Sequence, residues 1–218
     1  SGLKVVVSAG PTYEDIDPVR FIGNRSSGRM GFAVAEAAVL AGAEVVLVAG
    51  PVGLATPVGV ARRVDVRSSQ QMLEAVLEAA NGADIYIGAA AVGDFRPASV
   101  SEHKLKKQGG APLGLQLAEN PDILATLAGR PDHPFLVGFA AETHDVETYA
   151  RGKLQRKGLD MIAANRVGNG LGFETDDNAL DLYWSDGSVA LARAPKRELA
   201  RELVARVAER FRATGRRA

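Results

Sequence analysis

The chain has 218 residues, a length that allows one large domain or a tight pair of domains with a sizeable core. Apolar residues make up 46% and charged residues 24%, which excludes a disordered, collagen-like or coiled-coil protein. The 26 basic and 26 acidic residues balance, and this excludes a general nucleic-acid coat, which requires a basic excess. The absence of cysteine excludes disulfides, thiolate metal sites and a cysteine nucleophile.

Short β-rich runs alternate with helical patterns along the first half of the chain. Residues 3–8 (LKVVVS) predict a buried strand, because their β-branched residues run almost unbroken. The next predicted elements are an Ala-rich helix, a buried strand, a helix capped by Ser68-Ser69 and a third strand, at residues 31–40, 44–49, 70–80 and 84–89.

The second half begins with residues 96–114, which have no strong period and predict a mobile surface loop. Asn120-Pro121 then predicts the start of a helix, with Pro121 in its first turn. The elements predicted next are a strand, a helix that stops at Gly158 and another strand, at residues 135–139, 146–157 and 159–164.

The C-terminal region changes pattern. Apolar and polar residues alternate on both sides of Asp186-Gly187, which predicts a hairpin over about residues 179–191. Residues 196–212 predict the last helix, whose apolar face is formed by Leu199, Leu203, Val207 and Phe211.

Alternating strands and helices predict an α/β protein: a three-layer, Rossmann-like fold with a mainly parallel sheet, plus a C-terminal hairpin and helix. No interdomain linker is visible, so we expect residues 1–218 to form a single domain. No apolar run approaches the ~20 residues of a membrane span and no signal peptide is visible, so we expect a cytoplasmic protein. Ligands should bind beyond the carboxyl ends of the strands.

The common nucleotide-binding fingerprints are missing. Gly10 alone follows the first strand where GxGxxG is expected, no GK[ST] occurs, and Ala49-Gly50-Pro51 stand where an acidic residue would bind a ribose. The Ser26-Ser27-Gly28 turn, at the start of the first predicted helix, is a candidate anion site. Ordinary serine capping is the alternative.

Two groups of lysines are candidates for binding phosphates. Lys104, Lys106 and Lys107 lie on the predicted loop, and they suit a polyphosphate, with a solvated charge run as the alternative. Lys153 and Lys157 lie one helical turn apart near the ligand edge, again with solvation as the alternative.

The neutral side-chain amide of Asn24 can orient an acyl group. The alternative is that Asn24 is an ordinary turn residue. The three histidines lack metal-ligand spacing, and the ligands of any metal stay unknown from the sequence.

Four long motifs occur in order: DPVRFIGNRSSGRMG at residues 17–31, GAAAVGDFRPASVSEHKLKK at 88–107, ENPDIL at 119–124 and VGFAAET at 137–143. Together they resemble the phosphopantothenate–cysteine ligase family of coenzyme A biosynthesis, and the match covers nearly the whole chain. Arg25 departs from the family, whose members often carry histidine there, so it is assigned no role.

The resemblance implies a ligase that joins 4′-phosphopantothenate to L-cysteine. In the bacterial family, CTP with Mg²⁺ converts the carboxylate into an acyl-cytidylate and releases pyrophosphate, and the cysteine amine then displaces CMP. The resemblance also implies a homodimer, to whose interface residues 168–191 would contribute. In many bacteria the ligase is fused to an N-terminal flavin-dependent decarboxylase, so FMN is not expected in this domain. Neither a nucleic acid nor a membrane is expected as a partner.

The resemblance further implies roles for individual residues. Lys104 would aid the first step and Asn24 the second, as catalytic residues. Phosphopantothenate is expected at Arg20, Asn24, Ser26, Ser27 and Gly28. The nucleotide is expected at Gly88, Ala89, Ala90, Asp94, Lys104, Pro121, Asp122, Ile123, Leu124, Phe139, Lys153 and Lys157.

Two other functions stay open from the residues themselves. An NADP-dependent, Rossmann-like oxidoreductase would hold a phosphate at the SSGR turn, and a non-catalytic module would sense a nucleotide or bind a flavin. The choice of CTP over ATP rests on the resemblance alone, because backbone groups can select a base. The residues that bind cysteine cannot be named from the sequence.

Overall fold

An eight-stranded sheet forms the centre of the computed structural model, which describes residues 2–107, 109, 113–142, 145–166 and 177–216. The strands are β1 (Lys4–Ala9), β2 (Tyr13–Asp15), β3 (Phe21–Gly23), β4 (Glu44–Ala49), β5 (Arg62–Asp65), β6 (Ile85–Gly88), β7 (Phe95–Pro97), β8 (Leu117–Glu119), β9 (Phe135–Glu142), β10 (Met161–Arg166), β11 (Asp177–Trp184) and β12 (Gly187–Pro195). The helices are α1 (Arg29–Leu40), α2 (Ser69–Ala79), α3 (Ile123–Ala128), α4 (Val146–Arg156) and α5 (Lys196–Ala213).

The strand order of the large sheet is β12-β11-β10-β9-β6-β1-β4-β5. The strands from β10 to β5 run parallel, and β11 and β12 add an antiparallel pair at one edge. Because the chain moves outward from β1 on both sides, the strand order reverses between β1 and β6. The predicted fold class, a mainly parallel sheet with a C-terminal hairpin and helix, is confirmed.

Helices cover both faces of the sheet, which explains why central strands such as β1 and β4 are nearly continuous apolar runs. Val5 and Val7 face a core that includes α1 and α5, while Val6 faces the core formed with α2, α3 and α4. On α5, the residues of the predicted apolar face, Leu199, Leu203, Val207 and Phe211, are all buried.

The β11–β12 hairpin is part of the large sheet and packs on its own chain. Leu180, Leu182 and Leu191 are buried in the core shared with α1 and α5. The alternating apolar residues of the hairpin are therefore buried within its own chain. Dimerisation through residues 179–191 stays a prediction, and residues 167–176 lie outside the described part of the chain.

Four local predictions are wrong or incomplete. Strand β5 (RRVD) is too charged to be recognised, because it is a short strand at the sheet edge. Two separate antiparallel pairs, β2–β3 and β7–β8, were not predicted, and β7 occupies the beginning of the predicted loop. Helix α3 begins two residues after Pro121, because the Asp122 side chain accepts a hydrogen bond from Ala125 N–H and acts as its N-cap.

Candidate active site

The carboxyl ends of β1 and β6 mark the reversal of strand order. In open α/β sheets the chain leaves two such strands in opposite directions, which opens a crevice where ligands bind. Two adjoining cavities lie at this edge of the sheet. We call them the lysine cavity, after Lys153 and Lys157, and the serine cavity, after Ser26 and Ser27.

The lysine cavity has a volume of about 450 Å³. It is formed by the end of β6, by β9, by the beginning of α3 and by the last turn of α4. All the residues predicted to bind the nucleotide line it except Ala89 and Lys104, namely Gly88, Ala90, Asp94, Pro121, Asp122, Ile123, Leu124, Phe139, Lys153 and Lys157.

Lysine and carboxylate side chains are fixed along the wall of this cavity. Lys157 Nζ lies 2.8 Å from Asp122 Oδ2, and Lys153 Nζ donates to the Phe139 carbonyl at 2.7 Å. Burial raises the pKa of Asp122, but the hydrogen bonds from Lys157 and Ala125 N–H outweigh burial and hold that pKa below its ordinary value. Asp122 is therefore ionised at neutral pH and keeps Lys157 directed at the cavity.

The floor of the lysine cavity is a pair of hydroxyl groups. Ser8 Oγ and Tyr86 OH lie 2.9 Å apart, and both residues are buried although they line the cavity. Burial raises the pKa of Tyr86 to about 12, so its phenol is neutral at physiological pH. The floor thus offers polar but uncharged groups to a ligand.

Asn120 fixes the loop that carries Asp94. Its Nδ2 donates to the Gly93 carbonyl at 2.8 Å and its N–H to the Asp94 carbonyl at 2.8 Å. The Thr12 hydroxyl accepts from Gly93 N–H at 2.9 Å. These bonds place Asp94 where it lines both cavities.

The serine cavity has a volume of about 540 Å³ and lies at the beginning of α1. Asn24, Ser26, Ser27 and Gly28, all predicted to bind phosphopantothenate, line it. The Asn24 amide nitrogen donates to the Ala91 carbonyl at 3.0 Å, which joins the two cavity-lining loops.

The first turn of α1 has no side-chain cap. Gly28 is the N-cap residue, with φ at 75°, and Ser26 Oγ accepts a bond at 3.3 Å from Gly28 N–H rather than from a helical N–H. The serine-capping alternative is therefore wrong. Backbone N–H groups at such a helix end are donors for an anion.

Glycine at position 31 lets α1 approach β1 closely. A Cβ atom there would lie 2.5 Å from Ala9 Cβ and 3.1 Å from Ala9 Cα. Any side chain would push the helix away from the strand, so the Ser-Ser-Gly-Arg-Met-Gly run serves packing as well as the cavity.

Three predicted site residues are placed differently. Ala89 lines the serine cavity instead of the lysine cavity, and neither Lys104 nor Arg20 lines either one. Arg20 is bound to Asp17 and to the Leu105 carbonyl. The roles predicted for Lys104 and Arg20 stay predictions.

Sequence reasoning missed several polar residues of the serine cavity. Asn165, Asn178, Arg29 and Lys196 line it in addition to the predicted residues. Asn165 could have been recognised from the sequence, since it follows a predicted strand at the ligand edge of the sheet. Asn178 could not, because it reaches that edge only through the antiparallel direction of β11, which begins there.

Within the described part of the chain, no group of three or more His, Cys, Asp or Glu side chains has the geometry of a metal site. None of the described helices is both long enough and apolar enough to cross a membrane.

Comparisons with known proteins identify the family and the relatives of this chain. The family model "DNA/pantothenate metabolism flavoprotein C-terminal domain" matches residues 1–211. The Coenzyme A biosynthesis bifunctional protein CoaBC of Haemophilus influenzae is 50% identical over 214 residues, which make up 98% of this chain and 53% of that protein. The chain thus spans about half the length of the curated relatives it matches.

Solved structures show the same fold. A crystal structure of the C-terminal domain of CoaBC has a TM-score of 0.83 at 41% identity, covering 98% of this chain and 97% of that chain. A Cab2 mutant in complex with phosphopantothenate-cysteine has a TM-score of 0.79, covering 98% of this chain and 89% of that chain; its 17% identity shows the fold alone. On the family match and the close CoaBC relatives, this chain belongs to the DNA/pantothenate metabolism flavoprotein C-terminal domain family.

Proposed function

We propose that this chain is a phosphopantothenate–cysteine ligase domain that acts in coenzyme A biosynthesis. It would join 4′-phosphopantothenate and L-cysteine, consume CTP and release CMP and pyrophosphate. The names of the CoaBC relatives and the ligand of the Cab2 complex support this proposal.

The observation that carries the proposal is the wall shared by the two cavities. Ala90, Asp94, Phe139 and Lys153 line both of them. A nucleotide in the lysine cavity and a carboxylic acid in the serine cavity would therefore meet at this wall. A ligase that activates a carboxylate with a nucleotide needs such a meeting point.

In the first step, a carboxylate oxygen of phosphopantothenate attacks the α-phosphorus of CTP. The bond from that phosphorus to the pyrophosphate oxygen breaks, and pyrophosphate leaves. Both reactants are anions, so cations must offset the charge that grows on the phosphates. Lys153 and Lys157 are held at the cavity wall and would offset part of this charge, and Lys104 would supply a further cation from the neighbouring segment.

In the second step, the cysteine amine attacks the acyl carbon and the bond from that carbon to the phosphate oxygen of CMP breaks, so that CMP leaves and the amine proton passes to solvent. Negative charge grows on the acyl oxygen during this attack, and a side-chain amide can donate a hydrogen bond to it. Asn24 lies in the serine cavity with its amide directed at the loop that the two cavities share. Asn24 therefore suits the second step.

Mg²⁺ would arrive with the triphosphate, as part of the substrate. This ion favours a few carboxylate oxygens together with phosphate oxygens. Asp94 fits that donor set, because its side chain lies where the cavities join. FMN would belong to a fused N-terminal flavin-dependent decarboxylase, which we propose as a partner of this domain because the relatives are bifunctional.

Pyrophosphate release is the direct test. It should be measured with each of the four nucleoside triphosphates, with and without phosphopantothenate and cysteine. We expect release with CTP and phosphopantothenate alone, because activation precedes amide formation. Absence of release with every nucleotide would contradict the ligase. Thermal stabilisation by NADP or FMN, but not by CTP with Mg²⁺, would favour the oxidoreductase or the flavin-binding module.

We also propose that the active form is a homodimer. The resemblance implies an interface at residues 168–191, and a second candidate surface lies on and beside β7 and β8, where the large apolar residues Val100, Leu113 and Leu117 are exposed. A second copy of this chain would cover such a patch. Light scattering should give a dimer for the wild type, and Leu117→Lys should shift it towards monomer. A wild type that is monomeric and fully active at micromolar concentration would contradict the dimer.

A further inference from the structure

Asp17 is a buried carboxylate outside both cavities. The residue is 1% exposed, and each of its oxygens is hydrogen-bonded. Oδ1 accepts from the N–H groups of Val19 and Arg20, both at 2.9 Å. Oδ2 accepts from the Arg20 guanidinium, which holds the pKa of Asp17 well below its usual range.

The same pair of side chains binds both backbone groups of one residue, Leu105, in the lysine-rich segment at residues 101–107. Leu105 N–H donates to Asp17 Oδ2 at 3.1 Å, and Arg20 Nη2 donates to the Leu105 carbonyl at 2.8 Å. At the other end of the segment, Ser101 N–H donates to the Ile16 carbonyl at 3.0 Å. The chain from Ser101 to Leu105 is thus fastened at both ends to the loop that follows β2.

Lys104 lies inside this hydrogen-bonded stretch, directly before Leu105. A lysine on a free loop would have to lose backbone freedom each time it bound the nucleotide. The bonds to Leu105 remove part of that freedom before any ligand binds. Groups held in this way react faster, since their positions are set in advance.

We propose that Asp17 and Arg20 are positioning residues for Lys104, and that Arg20 acts through Leu105 rather than by binding phosphopantothenate. This inference rests on the proposed function, in which Lys104 aids attack on the α-phosphorus. Asp17 orients Arg20 and holds Leu105 N–H, while the forked guanidinium of Arg20 reaches both the carboxylate and the Leu105 carbonyl.

Trypsin cleavage of the Lys104–Leu105 bond tests the hydrogen bonds from Asp17 and Arg20 to Leu105 without any substrate. A protease needs the backbone free, so cleavage follows the population in which Leu105 is released. Asp17→Asn should raise cleavage at this bond by about 10-fold, as expected for the loss of a hydrogen bond to a charged group. Asp15→Asn is the matched control, because Asp15 pairs with Arg67 and does not contact the segment. It should be cut at the wild-type rate.

Kinetics separate positioning from substrate binding. Asp17→Asn and Arg20→Lys should slow pyrophosphate release by roughly 10- to 10²-fold, a loss that a shift of about 1 Å in a positioned group can cause. The KM for phosphopantothenate should stay unchanged. Arg20→Lys keeps the charge beside Asp17, so it tests the same point if Asp17→Asn does not fold.

Double substitutions give the sharpest result. Combining Asp17→Asn with Lys104→Gln should be no slower than Lys104→Gln alone, because both changes remove the same contribution. Additive losses would overturn the proposal, as would wild-type cleavage of Asp17→Asn. A raised KM for phosphopantothenate in Arg20→Lys, with kcat unchanged, would return Arg20 to substrate binding. If the wild type releases no pyrophosphate, the proposed function fails, whereas the cleavage experiment still decides whether these hydrogen bonds hold Leu105.

Discussion

The lysine cavity and the serine cavity share a wall, yet they are built by different means. The ends of strands and helices, together with the loop that carries Asp94, form the lysine cavity, and its lysines are held by Asp122 and by the Phe139 carbonyl. An irregular turn and the beginning of α1 form much of the serine cavity, whose helix end has no side-chain cap. Fixed cations suit a polyphosphate, and open donors suit an acyl group and a small anion. The difference teaches that one edge of a sheet can prepare two kinds of electrostatic environment side by side.

Substitution of Asn24 should separate the two cavities by reaction step. Asn24→Asp is nearly isosteric, but a carboxylate repels the negative charge that forms on the acyl oxygen. Loss of one such donor costs about 10²–10³ in rate. We expect amide formation to fall by that factor while pyrophosphate release continues, so that mass spectrometry detects accumulated acyl-cytidylate.

Asn81→Asp is the control for this experiment, because Asn81 binds Arg130 away from both cavities. It should react like the wild type. If Asn24→Asp loses pyrophosphate release and amide formation in equal proportion, Asn24 is a general binding residue and the division between the cavities is wrong.

Substitution of Lys157 should weaken the nucleotide side alone. Lys157→Gln removes one cation from the lysine cavity and leaves Asp122 as an uncompensated anion. We expect the Kd for CTP with Mg²⁺ to rise by about 10-fold, a loss typical of one charge-assisted hydrogen bond. Calorimetry measures this Kd directly.

Arg156→Gln is the matched control, since it removes the same charge at a neighbouring residue that lines neither cavity. Its Kd should stay within about two-fold of the wild type, as expected for a screened surface charge. Equal weakening by both variants would show that overall charge, rather than the cavity, governs nucleotide affinity.

Filling the space at Gly31 should test how the serine cavity depends on packing. Gly31→Ala forces α1 away from Ala9 and should lower stability by about 1–3 kcal/mol. For a domain of this size, Tm should fall by roughly 3–10 °C. Gly152→Ala is the control, because its Cβ would meet only the flexible end of Arg156, at 3.0 Å. An unchanged Tm for Gly31→Ala would mean that the close approach is not needed.

Lowering the pH should break the ion pair between Lys157 and Asp122 in the lysine cavity. The pKa of Asp122 is lowered in the folded chain, so its contribution is present above the unfolded value of about 3.9 and is lost as pH falls through the folded value. Because both partners are partly exposed, the contribution at pH 7 should be below about 1 kcal/mol. Denaturant unfolding of the wild type and Asp122→Asn should differ by this amount at pH 7 and converge as the pH falls through the lowered pKa of Asp122. A difference in unfolding free energy that grows as the pH falls would show that this ion pair does not stabilise the fold.

The sequence predicts those parts of the fold where burial leaves a simple pattern. The runs LKVVVS and EVVLVA and the apolar face of α5 are recognisable because each obeys a single period. The edge strand RRVD and the start of α3 are not, because one depends on its place in the sheet and the other on an aspartate cap beyond a proline.

The site follows the same rule. Lys153 and Lys157 could be paired from their spacing on one helix, and the family motifs supplied most of the lysine cavity. Asn178 could not be found, because only tertiary structure brings it to the serine cavity. Likewise, the sequence does not distinguish a buried Asp17 from any exposed aspartate, so the link between Arg20 and Leu105 is visible only in the folded chain.

The open sheet also leaves two edges, at β5 and β12, and both are poor templates for another strand. Strand β5 is four residues long, and its arginines are held by Glu78 and Asp65. Strand β12 carries Arg193 and ends at Pro195, which has no N–H to donate. Short length, charge and proline are the features by which sheet proteins avoid edge-to-edge aggregation. The strands richest in valine, β1 and β4, lie inside the sheet. Both of their edges are paired there, so they cannot start a cross-β assembly while the chain is folded.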